Sequence, residues 1–154
     1  MVLTTTKQRE VEKLAHNLLN EFGLHDWSFG WSKAKTAYGD CNENKKLIRL
    51  SKVLAPKLSD DAINDTIRHE IAHARVGVVQ GHNVLWKMEA VKCGASPQRL
   101  GPPSPIRGKH VLQCVNCGLL YYRHRAVKKT LACGKCCKKY NSGFYHPDYK
   151  LMSV

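Results

Sequence analysis

Apolar positions near the start of the chain recur at helical spacing. Val11, Leu14, Ala15, Leu18 and Phe22 share one face, Thr5 or Thr6 can cap the N-terminus, and Gly23 offers a left-handed stop. The period then shortens to two. Trp27, Phe29 and Trp31 alternate with Ser28 and Gly30, which predicts a strand with one buried aromatic face. A turn is expected near Tyr38-Gly39-Asp40. It leads into a second strand over residues 46–51, where Leu47, Ile48 and Leu50 can face a core, and the strands together predict a small antiparallel sheet.

Helical spacing returns after Ser59-Asp60-Asp61, a capping hydroxyl followed by two acids suited to the positive end of a helix dipole. Ile63, Ile67, Ile71 and Ala74 continue this helix to Gly77. A further helix over residues 83–92 offers Leu85, Met88 and Val91 for packing, with Gly94 as its stop. Proline and glycine then crowd residues 101–108, which cannot sustain a helix or a central strand, and predict a linker over 101–109. Residues 110–140 are cysteine-rich and too few to hold a core without a metal or another staple. The expected organisation is an α+β domain over 1–100, the linker, a β zinc ribbon over 110–140, and a C-terminal tail over 141–154 to which the pattern assigns no role.

Composition sharpens this division. The 154 residues carry 25 Lys and Arg against 12 Asp and Glu, a formal charge of +13. Residues 97–154 hold 11 of the basic side chains and a single acid, Asp148. A field so one-sided attracts polyanions, and nucleic acid is the first partner it suggests. No apolar run approaches the roughly 20 residues that span a bilayer, and the N-terminus lacks a signal-peptide core. An unexported intracellular protein without membrane association is expected. Seven cysteines, two pairs of them in C-x2-C spacing, favour metal binding over disulfides.

The strongest motif is His69-Glu70-Ile71-Ala72-His73, which lies on the most regular of the predicted helices. Residues four apart lie about 40° apart around a helix axis, so His69 and His73 can bind one zinc ion. Glu70 is placed to reach a water on that ion as catalytic base, without being a ligand. With 8 His and 6 Glu in the chain, random placement yields about 0.02 such motifs, so coincidence is a poor explanation. His82, after the Gly81 turn, is the preferred third ligand. Glu89 on the following helix is the rival, and spacing alone does not exclude it.

Cys114-Val115-Asn116-Cys117 and Cys133-Gly134-Lys135-Cys136 are separated by fifteen residues, a spacing that fits a closed, tetrahedral, structural zinc site. Cys137 competes with Cys136 for the fourth position, and the two-residue gap favours Cys136. Gly118 and Gly134 suit tight turns at the two knuckles, while Tyr121-Tyr122 and Thr130-Leu131 are expected to pair as ribbon strands. Between the knuckles, Tyr121, Tyr122, Arg123, Arg125, Lys128 and Lys129 combine aromatic rings with cations, the composition of a nucleic-acid contact.

Taken in order, the Trp27-Ser28-Phe29 strand, Ile48-Arg49-Leu50-Ser51, the His69 to His73 helix, Gly81-His82 with Trp86 following, and the ribbon with Arg123-His124-Arg125 resemble the SprT-like family of SprT/Spartan-type zinc metalloproteases. The resemblance implies a compact α+β, zincin-like peptidase domain, with His69, His73 and His82 as zinc ligands and Glu70 as base. It also implies cleavage of proteins on DNA, covalent DNA–protein crosslinks included. The combined expectation is a monomeric, zinc-dependent metalloendopeptidase with one catalytic and one structural zinc. Its partners would be DNA, single- or double-stranded, and protein substrates on that DNA. It would reside in the cytoplasm or nucleoid of a bacterial or phage-infected cell, or in a eukaryotic nucleus. The alternative is a non-catalytic, zinc-containing nucleic-acid-binding adaptor or regulator.

Overall fold

In the computed structural model of the chain, which describes residues 2–98 and 104–154, Thr4 caps the first helix, one residue ahead of the expected cap. Its hydroxyl accepts from the Lys7 N–H at 3.2 Å. Helix α1 (Thr5–Glu21) buries Val11, Ala15, Leu18 and Leu19. Strands β1 (Ser28–Ser32), β2 (Gly39–Asn42) and β3 (Leu47–Ser51) follow and form a sheet of order β1-β3-β2. Tyr38-Gly39-Asp40 is not a turn but the entry to β2. The reversal falls between Glu43 and Lys46, where Lys46 takes φ +46° and its N–H bonds to the Glu43 carbonyl. β2 and β3 are antiparallel, with Gly39 opposite Leu50 and Asn42 opposite Leu47. β1 lies parallel to β3, with Ser28 opposite Leu47. The sheet is therefore mixed along β1. The chain crosses to the far edge before β3 returns between its predecessors, a topology that alternation of side chains cannot reveal.

Helix α2 (Asp60–Val76) starts as expected: the Ser59 hydroxyl accepts from the Ala62 N–H, Asp60 and Asp61 occupy the first turn, and Gly77 ends the helix at φ +92°. Its apolar stripe, Ile63, Ile67, Ile71 and Ala72, is no more than 2% exposed and meets α1, β2 and β3 in one core. Phe29 and Trp31 stack edge-to-face with centroids 5.4 Å apart, and with Trp27 they flank that core. Helix α3 (Val84–Lys92) departs from the expected packing. Leu85, Met88 and Val91 are 56%, 55% and 61% exposed, whereas Trp86 and Ala90 are fully buried. At 100° per residue the two sets lie on opposite faces, and the indole, the largest apolar surface on the helix, takes the inner one.

The chain divides into two compact units, Met1–Ser104 and Pro105–Val154. Of the predicted linker, residues 101–103 lie outside the described residues and 104–109 have no regular structure. In the second unit, β4 (His110–Cys114) is flanked by β5 (Leu120–Arg123) and β6 (Leu151–Ser153), both antiparallel to it. Tyr121 and Tyr122 therefore face Leu112 and Val111 across the ladder, not Thr130-Leu131. The segment that appeared to be a tail supplies β6, and the Leu131 carbonyl accepts from the Leu151 N–H at 2.8 Å. Three residues are too few for a legible alternation. Helix α4 (Gly134–Tyr140) begins within the second cysteine knuckle, with Cys133 at its N-cap and Cys136 in its first turn, so Gly134 opens a helix, while Gly118 makes the expected left-handed turn at φ +71°. Among the described residues no helix is long and apolar enough to cross a membrane.

The packing of α2 carries a direct expectation. Ile67 is 0% exposed, and Ile67→Ala should destabilise the protein by about 2–5 kcal/mol, read as a lower urea midpoint with unchanged slope.

Candidate metal centres

His69 and His73 project from one face of α2, and the short turn between Gly77 and Gly81 brings the chain back so that His82 meets them. Both glycines have positive φ, +92° and +53°, and a 3-10 turn over Val78–Gln80 lies between them. The Glu43 carboxylate accepts from the Val78 N–H at 3.3 Å, tying this turn to the β2–β3 reversal. The result is a convergence of three Nε2 atoms: His82 lies 3.1 Å from His69 and 3.2 Å from His73. Around a tetrahedral ion with bonds of about 2.0–2.1 Å, neighbouring nitrogens sit about 3.3–3.4 Å apart, so the cluster is sized for a zinc-like ion. Each imidazole has only one acceptor or donor at Nε2, which leaves hydrogen bonding a poor reason for three to meet.

Trp86 forms the floor of this cluster. Its ring centroid is 4.6, 5.2 and 4.5 Å from those of His69, His73 and His82. Glu89, the rival ligand, is engaged elsewhere: its carboxylate pairs with the Arg75 guanidinium and lies 3.8 Å from the Lys92 ammonium. It does not join the histidines. Burial, and secondarily the neighbouring imidazoles, hold His69 and His73 down at about 4, so both are neutral and have a free ring nitrogen near pH 7.

Glu70 points from the same helix into the space between α2 and β2. It is 7% exposed, and burial, reinforced by Asp40, pushes its carboxyl up to about 8. A cation in the adjacent histidine cluster would reverse that logic and favour the carboxylate. A buried acid with a raised proton affinity beside a potential metal position is equipped to take up and release a proton.

In the second unit, Cys114, Cys117, Cys133 and Cys136 gather their sulfurs into one cluster. Cys114 and Cys136 are 3.9 Å apart, and Cys117 and Cys133 are 3.7 Å apart. Tetrahedral zinc with bonds of about 2.3 Å separates its sulfurs by about 3.8 Å, so this site also fits. Cys137 is buried but outside the cluster. Two polar partners escaped the sequence pattern. The Tyr121 hydroxyl lies 3.1 Å from the Cys133 sulfur, and the Asn116 amide donates to the Cys136 sulfur at 3.4 Å. Burial raises the Cys133 thiol, but hydrogen bonds led by Tyr121 and the Cys136 backbone outweigh it and bring the thiol down to about 6. The Tyr121 hydroxyl is held up at about 12 by the same contact and keeps its proton as donor.

The remaining basic candidates are on the surface. Tyr122, Arg123, Arg125, Lys128 and Lys129 are exposed, and the Arg107 guanidinium covers the Tyr122 ring at 5.0 Å from its centroid. Tyr121 is half-buried against the ribbon core. More aromatic surface appears where no pattern had marked it: Tyr140, Phe144 and Tyr145 are 55%, 73% and 55% exposed.

An α+β unit with a three-histidine cluster and a second, small unit with four clustered cysteines together define a protein with two candidate metal centres. The chain belongs to the SprT-like family, whose sequence pattern matches residues 8–110. It is 27% identical over 132 residues to a protein of Oceanobacillus iheyensis named Protein SprT-like, an alignment covering 82% of this chain and 87% of that one. Both expectations, α+β architecture and family, hold.

The hydroxyl on Cys133 is open to test. Tyr121→Phe should hasten zinc loss from the four-cysteine site, with affinity reduced about 10–100-fold in a chromogenic chelator competition.

Proposed function

We propose that this protein is a zinc-dependent endopeptidase that cleaves proteins bound or crosslinked to DNA. The observation that carries the reading is Glu70, buried and next in sequence to His69 on the helix that bears two of the three clustered imidazoles. A purely structural site has no use for such an acid, and a buried carboxyl is costly to keep. The chemistry that zinc supplies in such a site is polarisation of a carbonyl and acidification of water. His69, His73 and His82 would hold the ion through Nε2, leaving one side of the cluster for solvent and substrate. Glu70 would accept a proton from the attacking water and pass it to the departing amine. Trp86 excludes water from the back of the ligands and restrains their ring orientations.

The second unit supports the DNA part of the reading. Residues 105–154 carry ten Lys and Arg against one acid. Asn141 donates through its amide to the Phe144 and Tyr145 carbonyls at 3.1 and 3.3 Å, so the turn that displays these two rings is internally braced. Lys138 and Lys139 precede it on α4. Exposed rings among cations suit unpaired bases, whose faces are open, better than the stacked interior of a duplex. A peptidase with an open site gains selectivity when a nucleic acid brings its substrate to it.

Two experiments bear on this function. Glu70→Gln should retain about two zinc ions per chain, because Glu70 is not a ligand, yet lose cleavage of a DNA-bound protein substrate. Cleavage by the variant at the wild-type rate would overturn the assignment. Phe144→Ala with Tyr145→Ala should weaken binding of a fluorescent single-stranded oligonucleotide by about 10-fold or more, at roughly 1–3 kcal/mol per lost stack, and change duplex binding much less.

A further inference from the structure

We infer that Gly39 is a positioning residue for Glu70: its missing side chain leaves the room that the carboxyl occupies. The inference rests on Glu70 being the proton carrier proposed above. Glycine inside a strand is unfavourable, and two circumstances ordinarily account for it: a left-handed backbone or a close approach. Gly39 is not among the glycines with positive φ. The close approach is present. A Cβ at this position would lie 2.9 Å from Glu70 Oε1, 3.0 Å from Glu70 Cγ and 3.1 Å from Thr66 Cγ2.

Which group would yield follows from the surroundings. Thr66 and Glu70 are one turn apart on α2. The Thr66 hydroxyl donates to the Ala62 carbonyl at 2.7 Å, which restrains its rotamer and keeps its methyl where it is. The helix backbone cannot retreat, since Ile67 and Ile71 are 0% exposed and anchor it in the core. β2 is fixed by its ladder to β3, with Gly39 opposite Leu50. The Glu70 side chain, carried on rotatable bonds, is the part that must swing. A side chain at position 39 would therefore displace the acid from the place it now holds against β2, while touching none of the three histidines.

Gly30, a glycine in the same sheet, provides the control. A Cβ there would meet Leu47 and Arg49 side-chain atoms at 3.5 and 3.7 Å, ordinary contact distances. The test uses the full, zinc-loaded chain. Gly39→Ala should lower kcat about 10-fold, the scale expected when a reacting group is misplaced by a few tenths of an ångström, with KM little changed and zinc content preserved. Gly30→Ala should stay within about 2-fold of wild type. Turnover by Gly39→Ala within about 2-fold of wild type would overturn the inference, as would activity loss that tracks loss of zinc from the histidine cluster.

A second measurement does not depend on any hydrolytic activity. Thermal melts of wild type, Gly39→Ala, Glu70→Ala and the double variant form a thermodynamic cycle. Removing the Glu70 side chain removes the contacts at 2.9 and 3.0 Å, so Gly39→Ala should lower the melting temperature of the wild type and lower it less, or raise it, in the Glu70→Ala background. Additive shifts would sink the inference, even if the protein proves to cleave nothing. Coupled shifts in a protein without peptidase activity would support the steric relationship and reject the proposed function alone. If Gly39→Ala by itself fails to fold, recovery of folding in the double variant supports the inference and continued failure overturns it.

Discussion

The regular turn of α2 is the constraint on which the first unit depends. One turn of helix sets two imidazoles side by side and places an acid next to the first of them, and no adjustment of side chains could compensate if that turn were irregular. The rest of the unit holds the turn in place. Ile63, Ile67 and Ile71 press the helix on to the sheet and α1. The Gly77–Gly81 turn returns the third imidazole, and the fully buried Trp86 occupies the space behind all three. The apolar stripe and two of the three imidazoles share one helix, so the same burial that stabilises the fold desolvates the site.

The two centres use metal-ligand chemistry to different ends. In the second unit four sulfurs fill a tetrahedron and hydrogen bonds from Tyr121 and Asn116 reach two of them, which leaves no position for a reacting molecule. The associated core is only Leu112, Leu151 and the cysteines, with Tyr121, Leu131 and Tyr149 at its margin. So small a core is of the kind that draws its folding free energy from a bound ion, which the four clustered sulfurs could hold. In the first unit the core is large enough to stand without an ion, and three ligands leave coordination incomplete. The contrast follows from ligand number and core size, both set by the chain.

Much of this was legible in the residues themselves. The helices of the first unit follow from apolar periodicity and from Ser59, Gly77 and Gly94, and the histidine and cysteine clusters follow from spacing. What escaped has physical causes. Parallel pairing of β1 with β3 depends on where the chain travels between strands, which no local pattern records. The inward face of α3 was misjudged because Leu85, Met88 and Val91 form a plausible stripe, and the competing bulk of Trp86 is decided only by what lies beneath it. β6 is too short to signal itself. His82 was already preferred from its place after Gly81, but setting its rival Glu89 aside required seeing that Arg75 engages that carboxylate. Gly39 resembled a turn residue because glycine commonly marks turns, and its use as a gap beside Glu70 is visible only across two elements.

The indole of Trp86 has one more consequence. It is wholly shielded from solvent, with the three imidazoles packed around it at centroid distances of 4.5–5.2 Å. A paramagnetic substitute such as cobalt, held by those rings, would sit close enough to drain the excited state of this fluorophore. An ion bound there would thus have its own optical gauge of occupancy, readable as a change in ultraviolet emission without a label.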